Sequence, residues 1–188
     1  MHLSRKLTLP ALLLSVLILS ACLGNLEVKP GSYKKLPEGV SISKYGTLLA
    51  QGKVVSVADA DTITVLGKDK KRYRIRLQGI DAPEKKQAYG ALCKTKMTQL
   101  LKNQRVDVEA YKRDRYKRII AKVKLRDNDV ALQMIRSGCG WHYTAYADEQ
   151  SWSDQRAYAK AERDARQQQL GLWRDANPEA PWDYRRRR

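Results

Sequence analysis

Alternation of apolar and polar positions is the first signal along the chain. Residues 48–57 read as a strand, and residues 62–66 as a second one beyond the acidic turn Ala58-Asp59-Ala60-Asp61. Gly67-Lys68-Asp69-Lys70 has the composition of a hairpin turn and leads into a third strand over 72–80. There Tyr73, Ile75 and Leu77 alternate with Arg72, Arg74 and Arg76, so one face is apolar and the other is a row of guanidiniums. The period then lengthens. Tyr89, Leu92, Cys93, Met97, Leu100 and Leu101 recur at helical spacing and predict an amphipathic helix over about 88–102. Val106, Val108 and Ala110 mark a fourth strand. Ile119, Ala121, Val123 and Leu125 mark a fifth, with Arg118, Lys122 and Lys124 on its opposite face.

Asp129 is placed to cap a short helix through Val130, Leu132, Met134 and Ile135, which Gly138 stops. Residues 153–170 have high helix propensity, with Ala157, Ala161 and Ala165 as a stripe and Gly171 as the stop. From Arg174 onward Pro178, Pro181 and four terminal arginines read as a mobile basic tail. Three strands, a helix, two strands and two helices predict an α+β, mainly β domain. The order suits a five-stranded barrel of the oligonucleotide/oligosaccharide-binding type with about three peripheral helices, while strand order alone also fits an open α+β sheet.

The N-terminus is of another kind. Arg5 and Lys6 precede an apolar run over 7–19, too short for a spanning helix and of signal-peptide length. The run ends in Leu19-Ser20-Ala21-Cys22, which resembles a bacterial lipobox and implies removal of residues 1–21 with lipidation of Cys22. Residues 22–46, punctuated by Pro, Gly and Lys, then read as a tether to a domain over 47–173, with 174–188 as the tail. The expected location is the cell envelope, with Leu23 after the Cys implying the outer membrane in a Gram-negative cell. In that oxidising compartment Cys93 and Cys139 are the remaining pair, either a disulfide or two buried free thiols.

Composition narrows the partners. The 188 residues hold 37 Lys plus Arg against 20 Asp plus Glu, a net charge of +17, and removing the leader costs only Arg5 and Lys6 of that excess. Such a balance favours polyanions, nucleic acid or an acidic membrane surface, over small neutral substrates. Hydrophobic residues at 43% are enough for a core, which the absence of Phe leaves to Val, Ile, Leu, Tyr and Trp. The only histidines are His2 and His142, which nearly excludes mechanisms built on several imidazoles.

Three segments carry chemistry. Asp59-Ala60-Asp61-Thr62 sets two carboxylates at a strand–turn junction; Arg76-Leu77-Gln78-Gly79-Ile80-Asp81-Ala82-Pro83-Glu84 sets an Arg, an Asp and a Glu around a strand end; Asp114-Arg115-Tyr116-Lys117-Arg118 opens the last strand with another Arg. Two Asp from separate loops suit a hard, oxygen-seeking cation, Ca2+ or Mg2+, rather than Zn2+. Two arginines suit a phosphate and its transition-state charge, and a Glu beside them can take a proton from water. An acidic turn or a strand-face Arg taken singly is most often only a solvated turn or face.

In conjunction these segments resemble the staphylococcal nuclease family, through VADADTITVL, YRIRLQGIDAPE, DRYKRIIAKV and the closing LGLW, over about 48–173. The resemblance implies the barrel and calcium-dependent hydrolysis of DNA and RNA, with Mg2+ or another divalent ion as the substitute. It implies metal ligation by Asp61, Asp81 and the Ala82 carbonyl, catalysis by Arg76, Arg118 and Glu84, and nucleotide contacts by Tyr116 and Tyr146. A monomer, joined to the membrane through the lipid on Cys22 and needing no protein partner, is expected. Two departures stand out: Ala60 where the family often has Gly, and Lys117 in place of a Gly before Arg118. A different class of reading is an inactive nucleic-acid-binding barrel on the membrane, and a third is a structural envelope lipoprotein. The intact set Asp61, Arg76, Asp81, Glu84 and Arg118 argues against both.

Overall fold

One long strand closes the sheet on itself. The computed structural model describes residues 39–43 and 47–187; the leader, Cys22 and most of the tether lie outside them. The chain runs β1 (Val40–Ile42), β2 (Leu48–Val57), β3 (Thr62–Gly67), β4 (Arg72–Leu77), β5 (Ile80–Asp81), α1 (Gly90–Leu101), β6 (Arg105–Arg113) and β7 (Ile119–Leu125). It continues through β8 (Asn128–Asp129), α2 (Val130–Arg136), β9 (Trp141–His142), a 3-10 helix (Thr144–Glu149), α3 (Trp152–Gln167), a second 3-10 turn (Gly171–Arg174) and α4 (Pro181–Arg186). The first half of β2 pairs with β6, Leu48 opposite Ala110, and its second half with β3, Val57 opposite Ile63. A register shift between Val54 and Ser56 adds bend to the strand that turns between these neighbours. Gly52 lies opposite residues of both, and a Cβ there would strike the Val65 side chain.

The circuit β2-β3-β4-β7-β6 returns to β2, a closed five-stranded mixed barrel. Its one parallel pair, β4 with β7, sets Ile75 opposite Ile119 and Leu77 opposite Ala121. Such a pair needs a crossover, which α1 and β6 supply. Inward residues Val54, Ile63, Val65, Ile75, Leu77, Val106, Val108, Ala121 and Val123 are all buried, as their alternation requires. α1 covers them with Cys93, Met97 and Leu101, and α2 with Val130, Ala131, Met134 and Ile135. Asp129 caps α2 by accepting the Leu132 N–H at 3.1 Å, and Ser151 caps α3 by accepting the Asp154 N–H at 3.1 Å.

Several elements differ from the sequence pattern. Leu92 is 58% exposed, because α1 is covered on a stripe narrower than its apolar spacing implies. Residues 40–42, assigned to the tether, form β1 on the barrel edge, Val40 opposite Ala50. The strand expected over 72–80 breaks at Gln78-Gly79: Gly79 has φ +73, where a side chain would also meet Gln150. Past that turn β5 leaves β4 and pairs with β9, setting Asp81 opposite Trp141.

The segment expected as a basic tail carries regular structure. After the second 3-10 turn the chain forms α4, opened by Pro181 at its first turn. Trp182 stacks on Tyr143 with ring centroids 5.6 Å apart and meets Trp141 edge-on at 5.4 Å.

Cys93 and Cys139 are joined in a disulfide that ties α1 to the chain just past α2. For its 46-residue separation the loop-entropy relation gives at most about 4 kcal/mol. Reduction is expected to lower the urea unfolding midpoint accordingly; coincident unfolding curves for the oxidised and reduced protein would show that the bond adds no net stability.

Candidate active site

Arg76 organises the acids. It is the last but one residue of β4, and its side chain is only 12% exposed where Arg72 and Arg74 on the same face are open to solvent. The break at Gly79 explains the difference, since the chain folds back over it. Arg76 Nη1 donates to the Ile80 carbonyl at 2.6 Å and the Leu77 carbonyl at 3.1 Å, and lies 3.3 Å from Asp61 Oδ2. Nη2 donates to Asp81 Oδ1 at 2.9 Å. One guanidinium thus bridges carboxylates from two loops.

Asp61 enters from the turn after β2. Its Oδ2 accepts the Ala82 N–H at 2.9 Å and its Oδ1 accepts the Thr62 hydroxyl at 2.9 Å. Burial pushes this carboxyl up, yet Arg76, a hydrogen bond from Asp59, the Ala82 N–H and Thr62 together hold it below the usual carboxylate range. Asp59, whose Oδ1 accepts the Asp61 N–H at 3.1 Å, is pushed up to about 7 by burial, the Asp61 charge and its hydrogen bond to that side chain. Ala60 between them is fully buried. Asp81 is also fully buried, and burial raises its carboxyl despite two arginines.

Glu84 follows on the loop to α1, where its N–H donates to Gln87 Oε1 at 3.0 Å. Its carboxylate meets a residue the sequence did not single out. Arg185, on α4, donates from Nη1 to Glu84 Oε1 at 2.9 Å and to Asp81 Oδ1 at 3.2 Å, and from Nη2 to Asp81 Oδ2 at 2.8 Å. These hydrogen bonds raise its basicity although burial opposes the charge. Gln87 Nε2 donates to the Glu179 carbonyl at 2.7 Å, which fastens the Glu84 loop to the segment leading into α4. The only signals for this in the sequence are Pro181, a helix-start residue, and the neighbouring Trp182.

Asp61, Arg76, Asp81 and Glu84 therefore gather in one cluster with Arg185. Arg118 stands apart from their hydrogen bonds. It precedes β7, and its Nε donates to Asp114 Oδ2 at 2.7 Å while its backbone N–H donates to Asp114 Oδ1 at 2.9 Å. Its hairpin closes with Asp114 N–H on the Arg118 carbonyl and Lys117 N–H on the Asp114 carbonyl, both at 2.9 Å. Tyr116 on this turn is 61% exposed, with Arg115 and Arg118 over its ring at 5.0 and 5.4 Å. Tyr146, 51% exposed, sits in the 3-10 helix next to Tyr143, with Lys112 over its ring at 5.6 Å. His142 is buried with its Nε2 2.9 Å from Gln150 Oε1, and among the described residues its ring shares no hydrogen bond with the acids of the cluster.

Lys117 has φ +62, the left-handed conformation that glycine takes without strain. The departure from the family's Gly thus carries a backbone cost. Lys117→Gly is expected to stabilise the fold by about 1 kcal/mol, read as a higher urea midpoint; an unchanged midpoint would show that the turn is relaxed.

Among the described residues no three His, Cys, Asp or Glu side chains gather closely enough to form a metal site alone. The donor set is two buried carboxylates from separate loops, with the backbone of the Ala82 turn alongside. Oxygen donors few in number, completed by carbonyl and water, fit a hard divalent ion and disfavour zinc.

A barrel of oligonucleotide-binding type with acids and an arginine packed at one strand end defines a class of phosphate-handling domains. Residues 74–175 match the family model of the staphylococcal nuclease homologues. A protein from Escherichia coli described as an uncharacterized endonuclease is 39% identical over 158 residues, covering 82% of this chain and 99% of the relative. One of the same description from Haemophilus influenzae is 35% identical over 134 residues, 71% of this chain and 72% of the relative. A staphylococcal-like nuclease, CAN1, from Arabidopsis thaliana is 34% identical over 142 residues, 74% of this chain and 40% of the relative. The chain belongs to the staphylococcal nuclease family.

Proposed function

We propose that this nuclease hydrolyses phosphodiester bonds of DNA and RNA with a divalent ion, Ca2+ by preference, at the cell envelope. The observation that carries the reading is the cluster of Asp61, Arg76, Asp81 and Glu84, four residues in three chemically distinct roles within one web of hydrogen bonds. Asp61 and Asp81, with the Ala82 carbonyl, hold the ion. When bound, it supplies positive charge to the phosphate and to the water beside it.

The remaining steps belong to the chain. Glu84 keeps Oε2 clear of Arg185, which uses Oε1, so Oε2 is the oxygen that takes a proton from the attacking water. Arg76 is held by carbonyls and carboxylates before substrate arrives, and its preset position spares reorganisation as charge builds on the phosphoryl oxygens. Arg118 is steadied through Nε by Asp114, which leaves its Nη1–Nη2 edge to grip the same phosphate. Exposed Tyr116 and Tyr146 offer faces on which bases stack. The basic excess, 37 Lys plus Arg against 20 Asp plus Glu and reduced only by Arg5 and Lys6 when the leader is removed, draws the polyanion in.

Lipidation at Cys22 provides the anchor in this reading, each acyl CH2 adding about 0.8 kcal/mol of membrane affinity. Among the described residues no helix is long and apolar enough to cross a membrane. The assay is direct: the purified protein is incubated with single- and double-stranded DNA and RNA in Ca2+, in Mg2+ and in chelator. Cleavage in Ca2+ that chelator abolishes is expected. Binding without cleavage under every condition would make the protein a nucleic-acid-binding module instead. Cys22→Ser is expected to abolish lipid labelling, and an unlipidated, freely soluble parent would overturn the anchor.

A further inference from the structure

We propose that Arg185 is a further residue of the active site, a tethered guanidinium that holds Asp81 and Glu84 in the metal-free protein and yields Asp81 to the divalent ion. The inference rests on the metal-dependent reading above. It begins from how completely Asp81 is engaged. Oδ1 accepts from Arg76 at 2.9 Å and from Arg185 at 3.2 Å, and Oδ2 accepts from Arg185 at 2.8 Å. Asp81 is 0% exposed, so no oxygen of it faces bulk water. A cation that takes Asp81 as a ligand must displace a guanidinium.

Which of the two gives way follows from their settings. Arg76 lies in the sheet with its side chain 12% exposed, tied also to the Leu77 and Ile80 carbonyls and facing Asp61. Arg185 is 42% exposed and rides on a six-residue helix at the end of the chain. The upstream fastenings of α4, Trp182 on Tyr143 and Trp141 and Glu179 on Gln87, do not depend on Arg185. The last turn of α4 can therefore release while its first turn stays docked.

The forked grip on Asp81 matches the geometry arginine prefers for carboxylate, and the further bond to Glu84 spans the two acids to which different tasks are assigned. A monovalent fork on two acids is a fair stand-in for a divalent ion, and a weaker one. Metal affinity in the parent is accordingly lowered by the fraction of molecules in which Arg185 is paired.

The test uses the full-length chain in detergent and needs no nucleic acid. Ca2+ binding is measured by calorimetry for the parent, Arg185→Ala, Arg185→Lys and Arg187→Ala, and amide hydrogen exchange over 182–187 is followed in the unmutated protein with and without Ca2+. Arg187, at the C-terminal end of α4, pairs with Glu179 and serves as the charge control. Arg185→Ala is expected to bind Ca2+ about tenfold more tightly, the factor recovered when a pairing occupied about nine-tenths of the time is removed. Arg185→Lys should fall between, since an ammonium lacks the fork, and Arg187→Ala should gain far less. Exchange in α4 should quicken on adding Ca2+. Arg185→Ala binding Ca2+ no more tightly than Arg187→Ala, or exchange in α4 indifferent to Ca2+, would overturn the role of Arg185 alone. A parent that binds no divalent ion would sink the metal-dependent reading itself.

Discussion

Arg76→Lys is expected to lower turnover on the order of 10²- to 10³-fold with a much smaller change in KM, by analogy with loss of one preorganised donor. Lysine keeps the charge and loses the plane. Arg76 spends Nη1 on two carbonyls and Nη2 on Asp81 while it faces Asp61, and a single ammonium cannot reproduce that spread. The phosphate would then meet a cation free to wander by an ångström, and the transition state would feel that more than the ground state. Part of the effect passes through the acids, because Asp61 is held ionised chiefly against its own burial by Arg76. Separate kcat and KM values, with thermal melting as a folding control, check the result. A folded variant turning over at the parent rate would remove Arg76 from the chemistry.

How far the sequence reaches is clearest at residues 72–84. The alternation of Tyr73, Ile75 and Leu77 with arginines places the barrel face correctly, because a period of two is a local property of the strand. Ile80 falls out of phase with Tyr73, Ile75 and Leu77, a break that hints at the end of the strand, yet nothing in the pattern gives the positive φ of Gly79 that turns the chain out toward Trp141. Asp61, Arg76, Asp81 and Glu84 were visible because each lies within a few residues of a strand end, where the chain order of the motifs already fixes the neighbourhood. Arg185 was invisible for the opposite reason. A stretch ending in four arginines looks solvated, and its contacts come from distant parts of the chain, Asp81 and Glu84 about a hundred residues away for the charge and Trp141 and Tyr143 about forty away for the ring. β1 is likewise illegible in the sequence, since a three-residue edge strand has too little pattern to show and gains its order from β2. Lys117 is the instructive middle case: its departure from Gly was legible, and its cost became visible only once the turn had a φ.

Glu84→Gln carries the other large expectation, a fall in turnover on the order of 10²- to 10⁴-fold, the range that a positioned general base contributes. The amide preserves size and still accepts a hydrogen bond from Arg185 Nη1 at the position of Oε1. Ca2+ affinity and KM should therefore stay close to those of the parent, because Asp61, Asp81 and Arg76 keep their own bonds. What is lost is the ability of the second oxygen to take a proton as water attacks phosphorus. Glu84→Asp supplies the contrast: it restores a carboxylate and withdraws it by one methylene. If proton acceptance is the role, the aspartate variant should recover part of the rate, most of all with substrates whose leaving group needs least help. If Glu84 serves only to seat Arg185, the aspartate should do no better than the amide, since it reaches the guanidinium less well. Equal, parent-like rates for both variants in the folded protein would take Glu84 out of the reaction altogether and leave water activation to another group of the cluster.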